Sequence, residues 1–461
     1  MSFTTTINGV KLEIPEALVK KYNTAAPRYT SYPTAPVWTD KFGPGDYIKA
    51  LSKIPPAPPL KKGGNLSLYF HVPFCESRCL FCGCSTIATA HHEVADRYIA
   101  ALGKEIELVA NVIGKKNKVV QLHFGGGSPT FFSPSQLEKL WQKISGHFAF
   151  DGKPELGIEA DPRVTTIEHL KTLRSLGFNR LSLGVQDFSE EVMSAIGRTS
   201  SFEEIEQLIG KARKLGYESV NLDLVYGLPH QTAASFKDTI EKVISLSPDR
   251  IACFNFAYLP KMLPHQRKLP ADKLPSPDEK FAIFCMAIET LGAAGYDLVG
   301  MDHFAKQSDE LSVAALSGTL WRNFQGYTTK AGTELLGFGL TSISDVSGCY
   351  AQNSKKLIDY YRRIESGQLA TIKGWKLSED DLFRRKIIRE LFCRGEANLS
   401  KIPPPPPLKK GGWGGFETDG LIQLRENKIQ VTPLGRLFVR NIATAFDEYL
   451  QKTSASFSKA V

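Results

Sequence analysis

The stretch LSLYFHVPFCESRCLFCGC, residues 66–84, decides how the rest of the chain is read. Leu66, Leu68 and Phe70 alternate with Ser67, Tyr69 and His71 until Val72-Pro73 ends the run, the pattern of a β-strand. Three cysteines follow on a short loop, Cys75, Cys79 and Cys82, spaced C-x3-C-x2-C, with Cys84 just beyond. A structural zinc site takes four ligands, commonly as two pairs. No second pair exists, because Cys253, Cys285, Cys349 and Cys393 stand singly. Three thiolates on one loop with a fourth metal position open suit a [4Fe–4S] cluster with one uncommitted iron. The plainer readings are a zinc loop, or buried thiols in a reducing cytosol. Placement directly after a strand favours the cluster, since ligand sites of α/β barrels gather at the C-terminal ends of strands. His71 is expected as a packed strand histidine and Cys84 as a small buried side chain rather than a fourth ligand.

A chain of 461 residues, 42% hydrophobic and 23% charged, has the composition of a soluble globular protein of one large or several smaller domains. No apolar run is long enough to span a membrane, and the first residues lack the cationic and apolar segments of a secretory signal. Eight unevenly spaced cysteines, four of them in one loop, do not form a disulfide framework. A cytoplasmic location is expected. The net charge of +9 is spread along the chain without a dense basic block, so no nucleic-acid partner is expected.

Strand patterns recur at 66–72, 119–124, 155–160, 179–185, 219–226 and 250–257. Helical patterns lie between and after them at 94–112, 135–147, 166–176, 202–215, 234–246 and 277–294. Six β–α units in series predict a parallel sheet with helices outside, curved into a partial (β/α)6 TIM-like barrel whose site lies at the C-terminal mouth. Residues 1–65 are expected as an N-terminal arm, extended around the prolines at 27, 33 and 36, with a helical patch near 15–22. Residues 66–300 form the barrel, and 301–376 are expected as substrate-side loops and a barrel extension. Residues 377–461 read as a small, mainly helical, winged-helix-like domain, with a helix at 378–394, a strand pair within 420–432 and a last helix at 434–450. LSKIPPAPPLKKGG at 51–64 and LSKIPPPPPLKKGG at 399–412 differ at one position in fourteen. Such segments suit polyproline ligands of a partner domain, or one element inserted twice into tolerant surface loops. The second origin is favoured, with both copies exposed and without a catalytic role.

Polar residues cluster just past the strands. The second strand runs into Gly125-Gly126-Gly127-Ser128-Pro129-Thr130, where glycines let backbone N–H and C=O groups approach a ligand. Glu159, Asp161 and Arg163 follow the third strand, Gln186, Asp187 and Arg198 the fourth, and Asp223 stands on the fifth. Converging on one mouth, they form the mixture of charges and hydrogen-bonding groups that a ligand with carboxylate, amine and ribose hydroxyls requires. Each of them alone could equally be a structural strand-end contact.

The cysteine triplet resembles that of the radical S-adenosylmethionine (SAM) superfamily. PRYTSYPTA at 27–35, YFHVPFC at 69–75, the CGC at 82–84, GGGSPT at 125–130, NRLSLGVQDF at 179–188, NLDLVYGLP at 221–229, GMDHFA at 300–305, RNFQGYTT at 322–329 and CYAQN at 349–353 resemble, within it, the oxygen-independent coproporphyrinogen III oxidase family. The resemblance implies a cluster held by Cys75, Cys79 and Cys82. It further implies a first SAM lined by Tyr69, Gly126, Glu159 and Ile343, and a second lined by Phe81, Gly127, Ser128, Gln186, Arg198, Asp223 and Ala257. Phe324 and Gln325 are implied to stand near the reactive end, with Tyr69 and Glu159 in the catalytic set. The implied reaction is the oxidative decarboxylation of two propionates of coproporphyrinogen III to vinyl groups through a 5′-deoxyadenosyl radical. An electron donor of unspecified identity and a monomeric chain are expected. The alternatives are a haem chaperone-like binding protein, which usually lacks the arm, the CGC cysteine and RNFQGYTT, and a non-catalytic paralogue. The second Pro-rich copy and WGGFETDG stand where further helical sequence is expected, which suggests a shortened C-terminal domain.

Overall fold

Leu66–Val72 (β1), Lys118–Gly126 (β2), Ala149–Ala160 (β3), Arg180–Gln186 (β4), Ser219–Tyr226 (β5) and Arg250–Asn255 (β6) pair in parallel in that order. They form the heart of a computed structural model that describes residues 2–55, 65–114, 117–400, 412–453 and 457–460. The crossovers carry Val94–Ile113 (α1), Pro134–His147 (α2), Ile167–Ser175 (α3), Phe202–Lys214 (α4) and Ala233–Leu246 (α5), with Pro277–Ala293 (α6) after β6. Each of α2–α6 opens on a serine or threonine whose side chain accepts the N–H three residues on, so the first turn's unpaired donors are partly satisfied. The strand interiors are apolar: Leu66, Leu68, Phe70, Leu122, Phe124, Ile158, Leu183 and Leu222 are all fully buried. A parallel sheet covered by helices requires such sequences.

The sheet does not end with six strands. Tyr296–Leu298 (β7) and His303–Lys306 (β8) extend it antiparallel beyond β6, while Glu334–Phe338 (β9) pairs in parallel with β1. Ile343–Val346 (β10), Cys349–Asn353 (β11) and Thr371–Lys376 (β12) continue as an antiparallel meander, giving twelve strands among the described residues. Residues 301–350, expected as part of a loop region, thus contribute several short strands to this sheet. Strands of three to five residues interrupted by glycine and polar residues are too short to register as runs. The sheet curls without closing, since β7 and β12 are its two edges.

The N-terminus brings a hairpin, Ser2–Ile7 with Val10–Pro15, that the sequence reading did not anticipate. It is followed by the expected helix, Glu16–Tyr22. The hairpin rests on α6 through an edge-to-face contact of Phe3 with Phe281 and a hydrogen bond from Thr5 to Cys285 O. The C-terminal region contains Glu379–Arg394, a three-stranded sheet of Glu396–Asn398, Lys428–Val431 and Ile422–Arg425, and the helix Gly412–Thr418. The single helix expected at 434–450 is broken into Pro433–Arg436, Val439–Thr444 and a 3-10 turn at Leu450–Lys452. Most of both Pro-rich copies, 56–64 and 401–411, lies outside the described residues. The first five residues of the earlier copy are described, and Leu51 among them is the buried end of the helix Pro44–Leu51.

Candidate active site

At the mouth of the barrel a cavity of about 750 Å³ is lined by Cys75, Cys79, Cys82, Glu159, Arg198 and Asp223, among others. The cysteine loop is clamped on two sides. Leu80 N–H donates to Ile196 O at 3.0 Å, and His265 Nε2 donates to Cys82 O at 2.7 Å. Gln266, 1% exposed, donates through Nε2 to Phe81 O and Ala257 O at 3.1 and 3.2 Å. A 3-10 turn after β6, Pro264–Lys268, therefore ties the cysteine loop to the next strand end. Sequence reading missed both residues, since nothing about a lone His-Gln pair in a Pro-rich loop marks it out.

Two guanidiniums, Arg198 buried and Arg163 half-buried, converge on one sulfur. Arg198 Nη1 and Arg163 Nη2 donate to Cys79 Sγ at 3.2 and 3.5 Å, and Asp161 holds them both, at 3.2 and 2.5 Å. The Cys82 thiol is lowered to about 7 by its hydrogen bond with Cys84 and by Arg78 and Arg198, against the effect of burial. Burial raises Cys75 to about 12, with Cys82 and Asp161 adding to it. Three sulfur donors on one cavity wall with cationic neighbours fit a thiolate-ligated iron–sulfur cluster, whose net negative charge needs such compensation. Cys84 is exposed, not buried as expected, and lines the same cavity as the other three cysteines.

The triglycine is shaped by packing. Gly126 has φ +116, and a Cβ there would lie 2.6 Å from the His71 ring; at Gly127 a Cβ would lie 2.7 Å from Phe74 O. The β2 turn therefore rests directly on the strand and loop that present the cysteines. Gly126 N–H donates to Glu159 Oε2 at 3.0 Å, and His123 Nε2 donates to Oε1 at 3.2 Å. Burial would raise the Glu159 carboxyl, but these two donors hold it below its usual value. Tyr69 stacks on His123 with rings 6.3 Å apart, and its hydroxyl meets His71 Nδ1 at 3.2 Å. His123 was legible in principle, since Gln121 and His123 are the inward-facing polar residues of β2.

Asp223 accepts from Ser182 and Asn221 at 3.2 and 2.7 Å; burial, and then Glu159, raise it to about 6. Gln186 takes a left-handed conformation, φ +72, at the end of β4. Arg198 Nε and Gln325 Nε2 are buried without a hydrogen-bond partner among the described residues, so both have donors to offer a ligand. Phe81, Gly126, Gly127, Gln186, Ala257 and Gln325 all line the cavity. Tyr69, Ser128, Phe324 and Ile343 stand behind its wall. Ser128 meets Thr130 at 3.2 Å, and Phe324 and Ile343 pack in an apolar cluster with Trp38 of the arm. Asp187 does not face the mouth. It is 1% exposed and accepts from Phe188 and Ser189 N–H, Thr239 and Gln231, which makes it a structural anchor.

A family model for the Radical SAM superfamily matches residues 69–243. The chain is 41% identical to the oxygen-independent coproporphyrinogen III oxidase of Synechocystis sp., over 98% of each chain. It is 42% identical to the Escherichia coli protein of the same name, over 96% of this chain and 98% of that one. The solved structure of coproporphyrinogen III oxidase from Escherichia coli, described as a radical SAM enzyme, superimposes with a TM-score of 0.85 at 40% identity, over 95% of this chain and 99% of that one.

Proposed function

The chain belongs to the oxygen-independent coproporphyrinogen III oxidases of the radical SAM superfamily, and from that premise we propose that it decarboxylates two propionates of coproporphyrinogen III to vinyl groups, yielding protoporphyrinogen IX for haem synthesis. The observation that carries this reading is the set of three cysteines on one cavity wall, with Arg163 and Arg198 on Cys79. Cys75, Cys79 and Cys82 would hold the cluster. When bound, the cluster supplies one electron that cleaves SAM to methionine and a 5′-deoxyadenosyl radical.

The chain's own residues bind, orient and shield. Tyr69, Gly126, Glu159 and Ile343 are assigned to a first SAM. Glu159, kept ionised by His123 and Gly126, is suited to an ammonium or hydroxyl donor. Phe81, Gly127, Ser128, Gln186, Arg198, Asp223 and Ala257 are assigned to a second SAM. Arg198 Nε and Gln325 Nε2 are donors without a partner among the described residues, and Phe324 with Trp38 covers the reactive end and excludes water. A cytoplasmic monomer served by a separate electron donor completes the reading; no helix among the described residues is long and apolar enough to cross a membrane.

The test is anaerobic. Reconstituted, reduced protein given SAM and coproporphyrinogen III should yield protoporphyrinogen IX and 5′-deoxyadenosine. Iron-loaded protein that forms no vinyl product would sink the proposal, and tight stoichiometric haem uptake without turnover would point to a chaperone.

A further inference from the structure

Resting on that reading of the substrate, we propose that His303 receives one propionate carboxylate of the tetrapyrrole. Asp302 and His303 stand where the chain enters β8, beside the cavity. Asp302, 4% exposed, accepts from His303 Nδ1 at 2.7 Å and from Arg28 of the N-terminal arm. Asp302 O also accepts Cys253 N–H at 2.8 Å, so the carboxylate's backbone is pinned to β6. An ionised carboxylate can only accept, so Nδ1 carries the proton and the imidazole is turned to present Nε2 elsewhere.

That nitrogen serves the cavity. His303 lines it, and Nε2 makes no hydrogen bond among the described residues. The ring is gripped edge-on by Phe254 and Tyr327, with centroids 5.7 and 5.2 Å away. A Cβ on Gly326 would lie 3.9 Å from Nε2, which puts His303 under the turn of the hairpin Trp321–Asn323 and Gly326–Thr328, next to the unpartnered amide of Gln325.

Four arginines of the cavity are ion-paired. Arg163 and Arg198 pair with Asp161 at 2.5 and 3.2 Å, and Arg180 and Arg250 pair with Glu310 at 2.6 and 2.8 Å. A substrate with several carboxylates therefore meets, beside the unpartnered Arg198 Nε and Gln325 Nε2, an imidazole nitrogen that is also unpartnered among the described residues. A carboxylate on Nε2 would leave the ring between two carboxylates, the setting that suits its two-donor form. Because Arg28 holds Asp302 from the arm, an ordered arm is required for His303 to be aimed.

The experiment uses reconstituted, SAM-loaded enzyme and two stable probes, coproporphyrin III and its tetramethyl ester, titrated by fluorescence. His303→Leu should weaken coproporphyrin III binding by about tenfold and leave ester binding within about twofold. His303→Gln, which keeps an N–H at similar reach, should recover most of the loss. With coproporphyrinogen III, His303→Leu should raise KM more than it lowers kcat, and it should raise the ratio of 5′-deoxyadenosine to vinyl product. Equal losses for acid and ester, or binding unchanged in both variants, would overturn the proposal. Its failure is distinct from failure of the functional reading, in which the unmodified enzyme itself makes no vinyl product.

Discussion

At Gly127 an added methyl group would meet Phe74 O at 2.7 Å and the Pro73 carbonyl at 2.9 Å, both of them backbone atoms that cannot rotate away. Gly127→Ala should therefore cost about 1–3 kcal/mol and displace the cysteine loop. The paired measurement is thermal unfolding together with iron content after reconstitution, and a variant with unchanged melting and full iron would contradict the packing argument. Cys79 carries a different burden, as the sulfur on which both guanidiniums converge. Cys79→Ser should abolish the visible absorbance of the cluster and any 5′-deoxyadenosine while the barrel stays folded by circular dichroism. Retained absorbance would remove Cys79 from the ligand set.

Between elements, the contact most exposed to pH is Glu105 on α1. It lies 2% exposed and accepts from Tyr360 at 2.7 Å, Asn353 at 2.6 Å and Gly339 N–H at 2.8 Å. Two turns earlier in α1, Tyr98 donates to His71 O at 2.7 Å and accepts Leu340 N–H at 2.8 Å. Together they fasten α1 to the end of β1 and to the turn between β9 and β10. Burial outweighs the three donors and raises the Glu105 carboxyl from 4.5 to about 7. The folded state thus holds its proton more tightly than the unfolded one. Its contribution is complete below about pH 4.5 and is lost as pH rises through about 7, by up to about 3 kcal/mol. Urea unfolding at pH 5 and pH 8 should show this loss. In Glu105→Gln the difference between the two pH values should shrink, and a variant with the same pH slope as the unmodified protein would show that Glu105 is not its source.

Over the whole molecule, the first and last residues close on each other. Arg440 donates to the carbonyls of Ala26, Pro27, Ser458 and Lys459, while Asn441 donates to Tyr22 O at 3.0 Å. Tyr29 donates to Asp447 at 3.0 Å, Arg322 to Tyr29 O at 2.7 Å, and Trp38 stacks on Tyr350 at 4.9 Å. The arm is thereby sewn to the C-terminal segment on one side and to the 321–328 hairpin on the other. Loss of a buried arginine that satisfies four carbonyls leaves those carbonyls unpaired. Arg440→Met should make the arm the earliest site of limited tryptic cleavage, near Arg28, and should lower vinyl yield per 5′-deoxyadenosine without reducing iron content. Proteolysis indistinguishable from that of the unmodified chain would show that the arm is held by other contacts.

What the sequence determined by itself is what repeats or alternates locally. The six β–α units, the cysteine loop after β1, the polar strand ends and the helix starts are all encoded within windows of about ten residues, where periodicity and capping act. What only the tertiary structure decided is which distant groups meet. Short antiparallel strands between 296 and 376 acquire their identity from neighbours across the sheet, so no local run announces them. The same holds for Gln266 bridging Phe81 and Ala257, for Arg28 holding Asp302 and through it His303, and for Asp187 turning inward to Thr239 instead of facing the mouth. The cysteine loop carried its chemistry in its spacing. Its shape depends on Gly126 and Gly127 beneath it and on His265, Gln266 and Ile196 around it, because a loop of this kind has no periodic hydrogen bonds of its own and takes its conformation from the groups that satisfy it.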